Sequence, residues 1–303
     1  MPTCAICICR TRALSKWPPD LTDPEWTIGQ QQKRRAVGIL AHDRLIVVAA
    51  LILAVAIGTF VTISGGGTGM SALKMTAATG PGGAILTEAG TTSVSAAWSW
   101  GFILATIVMW WLMMTAMMVP SAAPAVLLYA ALTRGSGTWL PGGPALALLS
   151  GYLLAWAGFS LVATALQWAL TAASQLSPMF LSLTSRPPAA ALLLLAGVYQ
   201  FTPLKARCLR ACNSPAALLV AYRPRGLWGS LQAGLRLGQQ CMGCCWALML
   251  LLFVGGAMNL YWIIGLALIV AAEKLLPQGP QFGRGLGLVL IIAGASLFGQ
   301  TLI

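Results

Sequence analysis

Apolar runs close to 20 residues long recur along the chain from position 45 onward, and nothing constrains the fold more. A helix needs about 20 apolar residues to cross about 30 Å of hydrocarbon. Within a bilayer each backbone polar group must be satisfied inside the protein, so such runs form helices. The expected spans are Leu45–Ile63, Trp98–Val119, Ala145–Ala173, Ala189–Thr202, Leu235–Val254, Asn259–Leu276 and Leu286–Leu302. Only 8% of the 303 residues are charged, against about 25% in a soluble domain. The expected fold class is all-α: a polytopic membrane helix bundle of about seven transmembrane helices.

Breaks between the runs follow known punctuation. Residues 1–44 are polar, basic and interrupted by proline, and are expected to form a partly disordered tail. The glycine clusters GGGTG and TGPGG predict a flexible loop from Ser64 to about Ala97. Pro120 and Pro124 are expected to kink the second helix, or to end it and start a shorter piece. Residues 205–226 read as a basic surface helix and turn. Gly255-Gly256 predicts a tight reversal, and Asn259 is placed to cap the helix after it.

Seven spans put the two chain ends on opposite sides. With the N-terminus in the cytoplasm, only Lys74 and Arg186 of the 18 basic residues fall outside. That bias fixes the expected orientation. It also accounts for the net charge of +12 without nucleic acid. The basic groups sit where they meet anionic headgroups of the inner leaflet. The partner expected first is therefore the bilayer itself, and none is a nucleic acid.

This orientation gathers the soft side chains at one depth. Met113, Met114, Met117 and Met118 lie near the cytoplasmic end of the second span. Cys208 and Cys212 follow the fourth span, and Cys241, Cys244 and Cys245 begin the fifth. Spacings of three and four put Cys241, Cys244 and Cys245 on one helix face, and Cys208 and Cys212 on another. Met109, Met113 and Met117 form a stripe along the second span. Thiolates assisted by thioethers favour copper(I), with zinc(II) the second choice when four thiolates converge. The reducing side of the membrane favours metal over a structural disulfide.

Other readings stand beside this one. Cysteine is a common small buried residue, and Gly243 with Cys244 also suits close helix contact. Cys241 and Cys244 would serve equally as a thiol–disulfide carrier. The methionine stripe suits an ordinary core. Cys4, Cys7 and Cys9 form a C-x-x-C-x-C tail, and His42 is the single histidine. The chain has no His-Glu-x-x-His motif and no histidine to spare for a Ser-His-Asp set, so no enzyme is expected. Trp-rich and Gly-rich helices would also suit a structural subunit of a larger membrane complex.

Three blocks together resemble one family. They are MWWLMMTAMMVPSAAPAVLLYA at 109–130, YQFTPLKARCLRACNSP at 199–215, and GLRLGQQCMGCCWALMLLLFVGGAMNLYW at 234–262 followed by EKLLP at 273–277. They resemble the bacterial predicted metal-binding integral membrane proteins, which are described as copper-chaperone-like. The resemblance covers about residues 98–278. It implies a multi-pass protein of the bacterial inner membrane that handles metal with a protein partner. Its ligands would be Cys241, Cys244 and Cys245, with Cys208, Cys212 and the Met113–Met118 group as neighbours. Members often carry histidine at the position of Leu237. The combined expectation is a soft-metal site, most simply Cu(I), for delivery or storage. Met113 and Met117 would be secondary thioethers, and Cys208 and Cys212 a relay pair.

Overall fold

The computed structural model describes residues 46–64, 72–79, 98–133, 142–176, 181–213, 226–276 and 278–301. Every regular element among them is a helix; the only extended pairing is one isolated bridge between Leu176 and Leu183. The helices are α1 (Ile46–Ser64), α2 (Ala72–Thr79), α3 (Trp100–Leu132), α4 (Gly143–Ala172) and α5 (Arg186–Tyr199). They continue as α6 (Pro203–Asn213), α7 (Gly226–Leu250), α8 (Leu260–Leu275) and α9 (Gly279–Gly299). A short turn, Leu252–Gly255, extends α7. The tail with Cys4, Cys7, Cys9 and His42 lies outside the described residues.

Local signals explain several boundaries. Ser99 caps α3 by accepting from the Phe102 N–H, and Asn259 caps α8 by accepting from the Tyr261 N–H, as its sequence position predicts. Gly256 takes a positive φ of 95° and turns the chain between α7 and α8. Prolines open α4, α5 and α9, where a missing N–H costs nothing. Pro120 and Pro124 sit inside α3, which remains one helix of 33 residues. Neighbouring helices supply the surroundings that let a spanning helix tolerate them.

Five of the helical stretches are long and apolar enough to cross a membrane: α1, α3, α4, α7 with its extension, and α9. A sixth arises if α5 and α6 count together, but they meet at a 67° bend. The expected fourth span corresponds to α5, whose 14 residues are by themselves short for a crossing. Thr202 and Pro203 mark the break, where the Thr202 hydroxyl accepts from the Lys205 N–H at 3.3 Å. The expected sixth span is α8, which has 16 residues.

The interior is dense and aromatic. Trp110, Trp156, Tyr152 and Phe253 are fully buried, as are Met113, Met114 and Met118. Trp110 Nε1 donates to Gln167 Oε1 at 2.7 Å, which satisfies two buried polar groups at once. Outward-facing Ile52, Phe60, Leu104, Val162, Leu268 and Val289 are each more than half exposed. An apolar exterior of this extent suits a lipid surround.

The seam that matters for chemistry joins α4 and α7. Gly234 and Gly238 lie four apart on α7, and a methyl at Gly234 would stand 1.9 Å from the Leu148 carbonyl oxygen. Gly238 likewise admits Ala155 and the Tyr152 backbone. Small residues at this spacing let two helix backbones approach closely. The approach sets the register, so that Tyr152 of α4 meets Cys241, one turn beyond Gly238.

Candidate metal centre

Cys241, Cys244 and Cys245 share the buried face of α7, as their spacing predicts. Their sulfurs do not all point to one place. Cys244 and Cys245 each donate to the Cys241 backbone carbonyl at 3.0 Å, folding back on their own helix. The Cys241 sulfur faces outward from α7. It lies 2.9 Å from Lys274 Nζ of α8 and 3.1 Å from the Tyr152 hydroxyl. The same hydroxyl is 3.2 Å from the Met118 carbonyl.

α6 brings the second cysteine pair onto this face. Cys212 Sγ stands 4.0 Å from Cys244 Sγ. Cys208 lies over Gly243, where a methyl group would come within 2.7 Å of its sulfur. Gly243 therefore does permit close helix approach, and the approaching helix is α6. Tyr199, at the end of α5, donates to the Gly243 carbonyl and packs edge-on against Trp246 at 5.1 Å. That contact holds the bend between α5 and α6 against α7.

A cavity of about 190 Å³ opens beside these sulfurs. Ser121, Pro124, Tyr152, Cys212, Cys241 and Lys274 line it, with Leu237 in its wall. Ser121 Oγ is 3.1 Å from Lys274 Nζ, so the ammonium bridges α3 and α7. Leu237 thus occupies a wall position, where the resemblance placed a histidine in relatives. α3 contributes Ser121, Ala122, Pro124 and Ala125 to this wall. Met113 and Met117 are buried in the core and are not among its lining residues.

The sulfur separation has a chemical meaning. Metal–thiolate bonds near 2.3 Å, drawn from two sulfurs 4.0 Å apart, enclose an angle of about 120°. The separation matches two thiolates sharing one ion, provided that Cys244 gives up its contact with the Cys241 carbonyl. No three His, Cys, Asp or Glu side chains among the described residues form a ready metal-holding group. Cys241 is engaged by Lys274 and Tyr152, and Cys244 and Cys245 are both turned to the Cys241 carbonyl.

Several participants gave little signal in the chain. Tyr152, Ser121 and Lys274 come to the cysteines from three different helices, 89, 120 and 33 positions from Cys241. In the chain, Lys274 stands only within the EKLLP block at 273–277, at the end of an apolar run. Its neighbour Glu273 turns the other way and pairs with Lys205 at 2.8 Å. Lys205 therefore departs from the surface placement expected of residues 205–226, whereas Arg207 and Arg210 remain exposed.

Comparison with curated proteins and with solved structures finds no match. A family model described as "PpoB2: Copper chaperone" matches residues 107–297, from the third turn of α3 to the last turn of α9. That interval holds all five described cysteines, Tyr152 and Lys274, and it exceeds half of the chain. The protein belongs to the PpoB2 copper-chaperone family.

Proposed function

We propose that this protein is an integral membrane copper handler. It takes Cu(I) as cargo between α6 and α7, and delivers or stores it rather than transforming a substrate. The single observation that carries the reading is the Cys212–Cys244 sulfur pair, 4.0 Å apart, beside Cys241 and the Lys274 ammonium. Soft thiolates select Cu(I) by ligand type. The residues assigned to the cargo are Cys212 and Cys244, with Cys241 as a third thiolate that exchanges partners. Cys245 stands behind them, and Cys208 is the outer member of a relay. The methionines Met113 and Met117 serve as a soft second layer reached by movement of α3 side chains.

Family membership supports copper rather than zinc. The apolar helices support residence in a membrane, with seven segments and the N-terminus in the cytoplasm by the basic-residue bias. In that arrangement α8, about 24 Å long, crosses with its ends near the headgroups. The setting is the inner membrane of a bacterium, and the exposed Arg207 and Arg210 of α6 face its cytoplasmic surface. A protein partner exchanges the metal there.

Purified protein should bind Cu(I) in competition with a chromophoric chelator at close to one ion per chain. Cys212→Ser and Cys244→Ser should each abolish that uptake. Uptake that survives both substitutions rejects the assignment. A thiol–disulfide reading shifts to this same pair, since the Cys212 and Cys244 sulfurs face each other across α6 and α7 at 4.0 Å. It predicts a reversible disulfide across physiological potentials and no copper uptake.

A further inference from the structure

Lys205 and Glu273 form an ion pair with side chains only 4% and 2% exposed. The Lys205 ammonium donates to both Glu273 carboxylate oxygens at 2.8 Å and also to Gln200 Oε1. Gly283 of α9 faces the carboxylate, and a methyl there would stand 2.9 Å from Glu273 Oε1. Four elements therefore meet at one charge pair: the end of α5, the start of α6, the end of α8 and the start of α9. Burying two charges is costly, and their attraction often no more than repays the lost hydration. A well-fitted apolar pair would be about as stabilising. The pair is thus poorly explained by stability, and its remaining use is to fix one arrangement among several.

What it fixes is the cysteine register. Lys205 opens α6, and Cys208 and Cys212 follow at +3 and +7, along the same stripe of the helix. α6 has only 11 residues, follows a 67° bend, and has exposed Leu204, Arg207 and Arg210 on its other side. An apolar contact would let so short a helix slide or rotate. A bidentate charge pair does not. Glu273 also adjoins Lys274, so the α8 turn that holds α6 is the turn that presents the ammonium to Cys241.

We propose that Lys205 and Glu273 are positioning residues for the metal centre: their buried pair holds α6 in the register that sets Cys212 against Cys244. This rests on the copper reading for its purpose, but the geometry it asserts is testable without copper.

The experiment uses the full-length protein in detergent or nanodiscs. Three forms are compared: wild type, Lys205→Met/Glu273→Leu, and the charge-swapped Lys205→Glu/Glu273→Lys. Timed oxidation with diamide, read by peptide mass spectrometry, gives the rate of Cys212–Cys244 disulfide formation. Cu(I) uptake and thermal unfolding are measured on the same samples. The apolar pair should keep a near wild-type unfolding midpoint. Its disulfide should form at least about tenfold more slowly, because an ångström of misplacement is enough for such a loss. Cu(I) uptake should fall with it, and the swapped pair should recover both in part. An apolar variant with unchanged stability, disulfide rate and copper uptake overturns the proposal. So does loss of folding in the apolar variant and also in a second, polar one, Lys205→Gln/Glu273→Gln, since the pair would then be a plain stability element. Wild type that forms the disulfide quickly and takes up no copper, with an apolar variant that forms it slowly, keeps the clamp and removes the copper reading.

Discussion

The Lys274 ammonium of α8 lies 2.9 Å from the Cys241 sulfur of α7, at the wall of the cavity that also exposes Cys212. A thiolate–metal complex with one copper and two or three thiolates is anionic. Lys274 is the cation placed to offset it. A unit charge about 4 Å away contributes up to about 4 kcal/mol at an effective dielectric near 20. Lys274 is half-buried, so solvent screens part of this. Lys274→Met should weaken Cu(I) binding about tenfold to a hundredfold by chelator competition, and Lys274→Arg should retain most of the affinity. Equal affinity in Lys274→Met would remove the ammonium from the account.

Leu237 is buried in the wall that carries Cys212 and Cys241. Its side chain offers no lone pair. Leu237→His should place an imidazole among the thiols and give the site a borderline nitrogen donor. We expect tighter Cu(I) binding and newly measurable Zn(II) binding in competition titrations. The same two affinities in variant and wild type would show that position 237 does not address the metal.

The α4–α7 seam has no room for a side chain at Gly234, where a methyl would lie 1.9 Å from the Leu148 carbonyl oxygen. Gly234→Ala must push the helices apart, at a cost of about 1–3 kcal/mol. The unfolding midpoint in detergent should drop by several degrees. Copper uptake should drop as well, because separation of α4 from α7 moves Tyr152 away from Cys241. A variant with wild-type stability would mean that the seam is wider than described.

Tyr152 links two groups, the Cys241 sulfur and the Met118 carbonyl. Tyr152→Phe removes both contacts at nearly constant volume. The expected loss of stability is about 1–2 kcal/mol, the usual range for leaving buried partners unmet. Oxidation of Cys241 by a membrane-permeant thiol reagent should quicken, since one of its two partners has gone. An unchanged rate would indicate that Lys274 alone restrains the sulfur.

Parts of this arrangement were legible in the chain. The helical class follows from the apolar runs, and the shared face of Cys241, Cys244 and Cys245 follows from spacing alone. Asn259 and Gly256 announced the turn into α8. Periodicity says where a side chain starts, however, and not where its sulfur ends. Cys244 and Cys245 fold back to the Cys241 carbonyl, a rotamer choice that spacing does not carry. The Met109–Met113–Met117 stripe has the same period whether it holds metal or fills a core, and its members are buried in the core. The end of the fourth run near Thr202 and a separate basic helix after it were legible too, and the structure ends α5 at Tyr199 and starts α6 at Pro203. Lys205 looked like one more basic residue of a surface helix. Its burial depends on Glu273, 68 positions away, and no local pattern carries that pairing.

The central claim is that Cys212 and Cys244 hold the cargo between α6 and α7. The most direct measurement is X-ray absorption at the copper edge on Cu(I)-loaded, full-length protein, paired with chelator titration of Cys212→Ser, Cys244→Ser and the control Cys208→Ser. The account predicts a first shell of two or three sulfurs around copper. It also predicts loss of uptake in the first two variants and retention in the third. A shell of oxygen or nitrogen donors, or full uptake in both Cys212→Ser and Cys244→Ser, would contradict it.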